Sequence, residues 1–532
     1  MYLKFKIYVD KLLSFLKYNN KYDDNLFCID QIEYYHRNKK RLPDYAIIDD
    51  KTINDVDFHE LFKYIDKTNS KVGQQYFWDK LVSLNLNINF DDQEKWIVYF
   101  DQEKENATKI KNMLSKLKKY DAYNISKLFI DEYIQKPKWH SFIKVLSFIP
   151  ILSLLLMHTF STFFYVLIIS LLTNFVIHYF YKRYIHLYMN SIPQLLILLN
   201  TIKRIVSLNL PIKPSDSILF SIKSFDKIKG KMSVFELDKK NYSDLAIIIF
   251  ALLEYCKIFF LIEPIIIFDI LNKLDCKRND IQNIFEYVGE IDSFLSINDL
   301  RKGMTNYCCP VINNNIHYLE FQDIYHPLVI NCIPNSLKIK GKSVLLTGSN
   351  MAGKTTFIRT VAINVILAQT INTCFAKEFK LRTMNLFSAI RIFDDLLDDK
   401  SYYFEEVVTV KNMIEQSNML SNNLFLLDEI FRGTNTLERI AAGKAVLSYL
   451  VRSDNNIVFV STHDIELAEL LNDDYDLYHF TEIIKNGELH FDYKIKEGRL
   501  TTSNAIRILE LNNYPKEIIN DANAFISSHQ QK

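Results

Sequence analysis

Residues 343–365 read SVLLTGSNMAGKTTFIRTVAINV, and this stretch decides the fold class. Val344, Leu345 and Leu346 form a short apolar run suited to a buried strand. Gly348, Ser349, Asn350, Met351, Ala352, Gly353, Lys354 and Thr355 follow and satisfy G-x-x-x-x-G-K-[ST]. Phe357, Ile358, Val361, Ile363 and Val365 then recur as a helix would place them. The order has a physical reason. Glycines let the loop curl so that backbone N–H groups face phosphate oxygens, and the helix adds the positive end of its dipole. Lys354 reaches the β and γ phosphates, and Thr355 ligates Mg2+. ATP and Mg2+ are therefore the expected cofactors, with Gly348 to Thr356 as the binding run.

Composition agrees with a glycine-dependent loop in an otherwise ordinary globular chain. Only 11 of 532 residues are glycine, about 2% where about 7% is usual. Gly341, Gly348, Gly353, Gly433 and Gly443 fall in one short region, where backbone freedom is the expected reason. Lys plus Arg (64) nearly cancels Asp plus Glu (63), so a net charge of +1 provides no global attraction to nucleic acid. The seven cysteines include no C-x-x-C pair, which excludes a disulfide framework or a structural zinc site and suits a reducing compartment. Cys308 and Cys309 read as two buried small apolar residues.

Outward from the loop, Leu424, Phe425, Leu426 and Leu427 form a second apolar strand that ends in Asp428 and Glu429. Asp428 is expected to hold Mg2+ and Glu429 to polarise an attacking water. A third strand, Ile457 to Val460, leads through Ser461 and Thr462 to His463, a γ-phosphate sensor by its place at a strand tip.

Upstream, Val145 to Tyr181 are 37 consecutive residues without Asp, Glu, Lys or Arg, nearly two bilayer crossings at about 18 to 20 residues each. His158, Thr159, Ser161 and Thr162 mark a turn near the middle. Lys136, Lys138 and Lys144 precede the run and Lys182 and Arg183 follow it, so both ends are expected on the cytoplasmic face of the cell (inner) membrane. The run reads as a transmembrane hairpin, against the alternative of two buried helices. A second apolar stretch, Leu245 to Ile270, carries Glu254, Lys257, Glu263 and Asp269 and reads as soluble core.

The wording of these motifs resembles the MutS family. TGSNMAGKTTFIRT (347–360), LFLLDEIFRGTNTLERI (424–440) and STHDIELAEL (461–470) are similar to that family's P-loop, its Walker B strand with the loop after it, and its switch histidine. Ser401, Tyr402, Tyr403, Phe404, Glu405 and Glu406 stand where the family carries S-T-F-x-x-E. The resemblance implies that Ser401 reaches across a homodimer to the other subunit's nucleotide. VGEIDSFLSI (288–297), YHPLV (325–329), SNAIRILELNNYPKEIINDA (503–522) and residues 57–81, with Thr68 and Gly73 in matching places, resemble other parts of the family's core. Cys332 stands where relatives carry an aromatic residue that stacks on adenine. Phe58, His59 and Glu60 imitate the family's mismatch wedge by letter, but sit in an amphipathic helical pattern and are rejected. Room for the mismatch-reading domain and a DNA-gripping clamp is not expected.

The expected fold is α plus α/β, an all-helical core with a transmembrane hairpin followed by a P-loop, ABC-type ATPase domain with a largely parallel sheet. The expected division is a helical region at 1–144, the hairpin at 145–181, further helices at 182–310, the ATPase domain at 311–500 and a helical segment at 501–532. The expected function is ATP hydrolysis at a dimeric composite site, built from Lys354, Thr355, Asp428, Glu429 and His463 with Ser401 in trans, driving a clamp-like change. The resemblance implies DNA mismatch repair and DNA as a possible partner. Arg37, Lys39, Lys40 and Arg41, and Lys116, Lys118 and Lys119, read as solvated charge that could touch phosphates. Two alternatives remain. One is a membrane-bound sensor or organising protein acting on a protein partner. The other is an ABC-type transporter subunit, disfavoured because residues 390–423 contain no LSGGQ-like string.

Overall fold

The strands expected around the P-loop assemble into one six-stranded sheet in the computed structural model. This model describes residues 27–40, 45–85, 88–134, 140–235, 252–253, 255–314, 319–339, 341–390, 402–485, 488–500, 509–510 and 514–529. The strand order across the sheet is Lys496–Glu497, Tyr475–His479, Ser343–Thr347, Asn456–Ser461, Asn423–Asp428 and Asn385–Ala389. All neighbours run parallel except the antiparallel edge strand Lys496–Glu497. The three central strands are buried along almost their whole length, as parallel strands covered on both faces must be. A four-stranded sheet, ordered Val311–Ile312, Glu378–Leu381, Glu320–Ile324 and Asn335–Lys338, lies in the same unit. The P-loop helix Lys354–Ile371 touches strands of both sheets and is buried on nearly all sides from Thr360 onward, as a core helix is.

The chain divides into two compact units, and the division is not linear. Residues 41–65 and 80–90, expected with the N-terminal helices, belong to the unit that holds residues 300–532. Within that unit Asp55 accepts hydrogen bonds from Ser388 Oγ (2.6 Å) and Ile390 N (2.9 Å), and the short strands Tyr45–Ile47 and Ser83–Asn85 pair antiparallel. Phe58 is fully buried in the helix Phe58–Ile65, so it is a core residue and no wedge.

The other unit is helical. Its pivot is Asp292 on the long helix Arg278–Gly303. This fully buried carboxylate accepts Asn69 N–H (2.9 Å), Ser70 N–H (2.8 Å), Asn69 Nδ2 (3.1 Å) and Ser70 Oγ (2.6 Å) ahead of the helix Lys71–Val82. Gly73 packs so closely here that a Cβ would lie 2.1 Å from Asp292 Oδ2, which explains a glycine inside a helix. Burial pushes the Asp292 carboxyl up to about 6.

The apolar run folds as two helices packed on each other, His140–Leu156 and Phe163–Tyr184, with the turn where the polar cluster lies. Among the described residues Phe163–Tyr184 alone is a candidate span by length and composition, and His140–Leu156 is a shorter apolar helix. The burial pattern inverts that of a soluble bundle. The buried positions are His140, Ile143, Ser147, Pro150 and Ser153 on one helix and Ser170, Asn174, His178 and Tyr181 on the other. Phe148, Leu155, Phe160, Tyr165, Ile169, Leu172 and Phe180 are each more than 60% exposed.

The stretch 245–270 is only partly within the described residues. There Lys257 and Glu263 are buried and 3.9 Å apart, whereas Asp269 pairs at the surface with Lys231 (2.5 Å). The cysteines correct the expectation of burial. Cys309 is exposed and Cys308 half-buried, where the segment after the long helix makes an isolated antiparallel bridge to the buried Cys374. All seven cysteines lie outside any disulfide.

Candidate functional site

Parallel register brings the three sequence motifs to one edge of the sheet. Ser461 pairs with Asp428 on one side and with Leu346 on the other. Past the strand ends, Thr462 N–H donates to Leu346 O (3.0 Å), Glu429 N–H to Ser461 O (2.9 Å) and Phe480 N–H to Thr347 O (3.0 Å). The carboxyl ends of parallel strands are where α/β sheets hold ligands.

The P-loop keeps the backbone its glycines allow. Gly348 has φ 136° and Gly353 has φ 103°. A Cβ at Gly348 would stand 2.5 Å from the Phe480 carbonyl oxygen, and one at Gly353 would stand 3.3 Å from Tyr493 Cδ1. Asn350 to Ala352 form one 3-10 turn, and Gly353 leads into the helix. Met351 is 70% exposed and Thr356 is also at the surface.

Lys354 is 2% exposed. Its ammonium donates to Gly348 O (2.6 Å) and Ser349 O (2.9 Å) and lies 3.4 Å from His463 Nε2. Burial lowers its pKa to about 8, although Asp428, Glu429 and Glu482 pull it upward. Thr355 Oγ1 donates to Asp428 Oδ2 (2.6 Å), and the Ser461 hydroxyl donates to the other oxygen of the same carboxylate. Glu429 accepts from His463 Nε2 at 2.7 Å and pairs with Arg432 Nε at 3.1 Å. The hydrogen bond from His463 holds the Glu429 carboxyl below its usual range, with Arg432 and Lys354 adding to the effect. The short contact to Glu429 identifies His463 Nε2 as the protonated nitrogen, so Lys354 cannot donate to it.

Lys354, Thr355, Asp428, Glu429 and His463 therefore converge. Ser401 lies outside the described residues, as does the side chain of Asn350. Three partners had escaped notice. Arg432 follows Glu429 by three residues inside the quoted motif, and Ser461 opens the histidine motif, so each had a positional signal. Glu482 accepts from Ser349 Oγ (2.9 Å) across 133 residues, and no local pattern announces such a pair.

A triphosphate fits this cradle. Two left-handed glycines line it, and the Lys354 ammonium rests on loop carbonyls it can leave for a stronger acceptor. A hard cation fits the Thr355 hydroxyl and Asp428 carboxylate, both oxygen donors. Among the described residues no three His, Cys, Asp or Glu side chains converge as a metal site. Cys332, expected by resemblance at the adenine-stacking position, accepts the His326 N–H on its Sγ (3.3 Å).

The first of the two basic clusters is partly neutralised at Arg37 and Lys39. Arg37 pairs with Glu33 (2.6 Å), and Lys39 pairs with Asp79 (3.1 Å) and Glu286 (3.5 Å).

A parallel sheet whose edge carries a glycine loop, a lysine, a paired threonine and aspartate, and a following glutamate defines a P-loop nucleotide-binding domain. Residues 344–530 match the family model of MutS domain V. The chain is 31% identical over 248 residues to the DNA mismatch repair protein MutS of Persephonella marina, a match covering 44% of this chain and 28% of that protein. It is 29% identical over 263 residues to MutS of Staphylococcus haemolyticus, covering 47% and 29%. With MutS of Thermodesulfovibrio yellowstonii it shares 28% identity over 289 residues, covering 51% and 34%. The likeness to the MutS family is carried by residues 344–530. The chain's matches span 28% to 34% of the length of these three relatives.

Proposed function

We propose that this chain binds MgATP and hydrolyses it at a site completed by Ser401 of a second copy, the cycle driving a clamp-like change in the helical part. The observation that carries this reading is the convergence of Lys354, Thr355, Asp428, Glu429 and His463 at one sheet edge. Lys354 and the loop amides bind and orient the phosphates, and Thr355 and Asp428 hold Mg2+. The bound Mg2+ supplies charge neutralisation on the transferring phosphoryl group. Glu429 takes a proton from the attacking water, with His463 orienting its carboxylate.

The composite site has a direct test. Ser401→Ala and Glu429→Ala chains should each be inactive alone, yet a mixture should regain up to about a quarter to a half of wild-type turnover, because mixed dimers hold one intact site. Strict absence of rescue would exclude the arrangement in trans.

Proton linkage offers a second test, independent of turnover. With Lys354 near 8 in the free protein, phosphate contact raises its pKa. MgATP binding at pH 8 should therefore take up about half a proton, falling towards zero near pH 6.5. Calorimetry in two buffers of different ionisation enthalpy measures this, and zero uptake at pH 8 would contradict a buried lysine under the phosphates.

We further read 145–181 as a membrane hairpin, placing the ATPase on the cytoplasmic face of the cell membrane. The inside-out burial of the two helices supports this, since polar and small residues line helix contacts in lipid while apolar ones face it. A contiguous exposed surface of this kind is uncommon on a soluble monomer. Full-length protein should stay in the membrane pellet after alkaline carbonate extraction. The relatives' names connect the family with DNA mismatch repair, and DNA is the partner this reading carries. Binding to duplex or mismatched DNA should then weaken steeply with salt. A flat slope would favour the membrane-bound machine acting on a protein partner.

A further inference from the structure

Glu406 lies on the helix Tyr402–Ser417, is 3% exposed, and has no role in the scheme above. One carboxylate oxygen accepts the backbone N–H of Phe431, and the other is buried without a partner. Burial raises its pKa. Phe431 lies in the turn after the strand, in which two non-glycine residues are left-handed, Glu429 at φ 53° and Phe431 at φ 59°. Such a backbone persists only where its surroundings over-determine it. Glu429 N–H is tied to Ser461 O (2.9 Å), which secures the start of the turn. At the other end, Glu406 takes up the Phe431 N–H, and the Tyr403 ring from the same helix packs against Phe431 (6.2 Å between centroids).

A buried carboxylate with one oxygen unused is poor material for stability alone, since an apolar side chain of similar size would avoid the desolvation cost. Its use is geometric. The left-handed turn leaves a buried N–H, and an acceptor brought from another helix both satisfies it and fixes where it sits. The carboxylate of Glu429 is aimed from two residues earlier in that turn.

We propose that Glu406 is a positioning residue for Glu429, latching the helix that follows Ser401 to the turn that carries the water-activating carboxylate. A shift of this helix then moves Glu429, so events at the signature segment reach the base of the same chain. The second, unused oxygen of Glu406 is an acceptor ready for a donor in another state of the turn. This proposal rests on the reading of Glu429 as general base.

The test uses the full-length chain and two readouts, one independent of hydrolysis. In Glu406→Ala, hydrogen exchange of the amides at 429–433 without nucleotide should accelerate at least about tenfold. Its kcat should fall about tenfold or more with KM within about twofold, the signature of lost positioning without lost binding. Glu406→Gln, whose amide oxygen can accept the same N–H, should restore both. Glu406→Leu fills the space without an acceptor and gives the same readouts should the alanine variant fail to fold. Wild-type exchange in both Ala and Leu variants would overturn the latch, and so would a Gln variant as defective as Ala. Fast exchange with unchanged kcat would overturn positioning while leaving the ATPase reading intact. A wild-type chain that hydrolyses no ATP would sink that reading instead, with the exchange arm still deciding the latch.

Discussion

Glu429→Gln is expected to lower ATP turnover by about 10²- to 10⁴-fold while leaving affinity for a non-hydrolysable analogue within a few-fold. The substitution preserves the shape of the side chain, and its amide oxygen can still accept from His463 Nε2, now 2.7 Å from Glu429 Oε1. What is lost is the ability to take a proton, together with the charge facing Arg432. Binding depends on other groups: the loop amides, Lys354 on its two carbonyls, and Thr355 on Asp428. Phosphate release and analogue titration on the same preparation separate the two effects. Turnover within tenfold of wild type would remove Glu429 from the chemistry.

Asn174→Leu is expected to cost the helical unit about 2 to 4 kcal/mol, roughly the penalty of two buried carbonyls left without donors. Pro150 lies inside the helix His140–Leu156 and has no N–H to offer the carbonyl of Leu146, four residues earlier. Asn174 Nδ2, from the facing helix, donates to Leu146 O (3.2 Å). The same nitrogen donates to Phe259 O (2.7 Å), just before the left-handed Leu261 ends that helical segment. One fully buried amide thus serves two carbonyls orphaned by breaks in two different helices. On the hairpin reading proposed above, such interhelical hydrogen bonds are often worth less than about 1 kcal/mol, because helices separated in lipid find other partners. Here Leu146 O has no helical donor to return to, which argues for the higher figure. The proline provides the control. Adding Pro150→Ala to Asn174→Leu returns an N–H to Leu146 O and should recover about 1 kcal/mol, whereas the two changes would add independently if the bracket were irrelevant. Melting of detergent-solubilised protein measures all four members of the cycle.

The candidate site was unusually legible because its chemistry is carried by short strings. The loop Gly348–Thr355 and the string Leu424–Glu429 each specify a strand, an end and a reactive group within a dozen residues, and the sheet register could bring them together in few ways. The turn inside the apolar run was legible for the same reason, since polar residues at 158–162 interrupt an otherwise charge-free stretch. Glu482 beside Ser349, Glu406 beneath Phe431 and the inclusion of residues 41–65 with the nucleotide-binding unit were not legible. Each joins positions far apart in the chain, where periodicity and spacing carry no information.

By itself the amino-acid order determined which strands are buried, where the loop needs glycine, and where the charge-free run turns. Those properties are local, set by side-chain chemistry and backbone freedom over one or two turns. Only the tertiary structure decided which donor meets which acceptor. Glu429 faces His463 and Arg432, Glu406 reaches the Phe431 amide, and Asn174 meets two broken helices because packing brings distant segments within hydrogen-bonding distance. A buried polar group must find a partner somewhere, but where that partner comes from is settled by the fold.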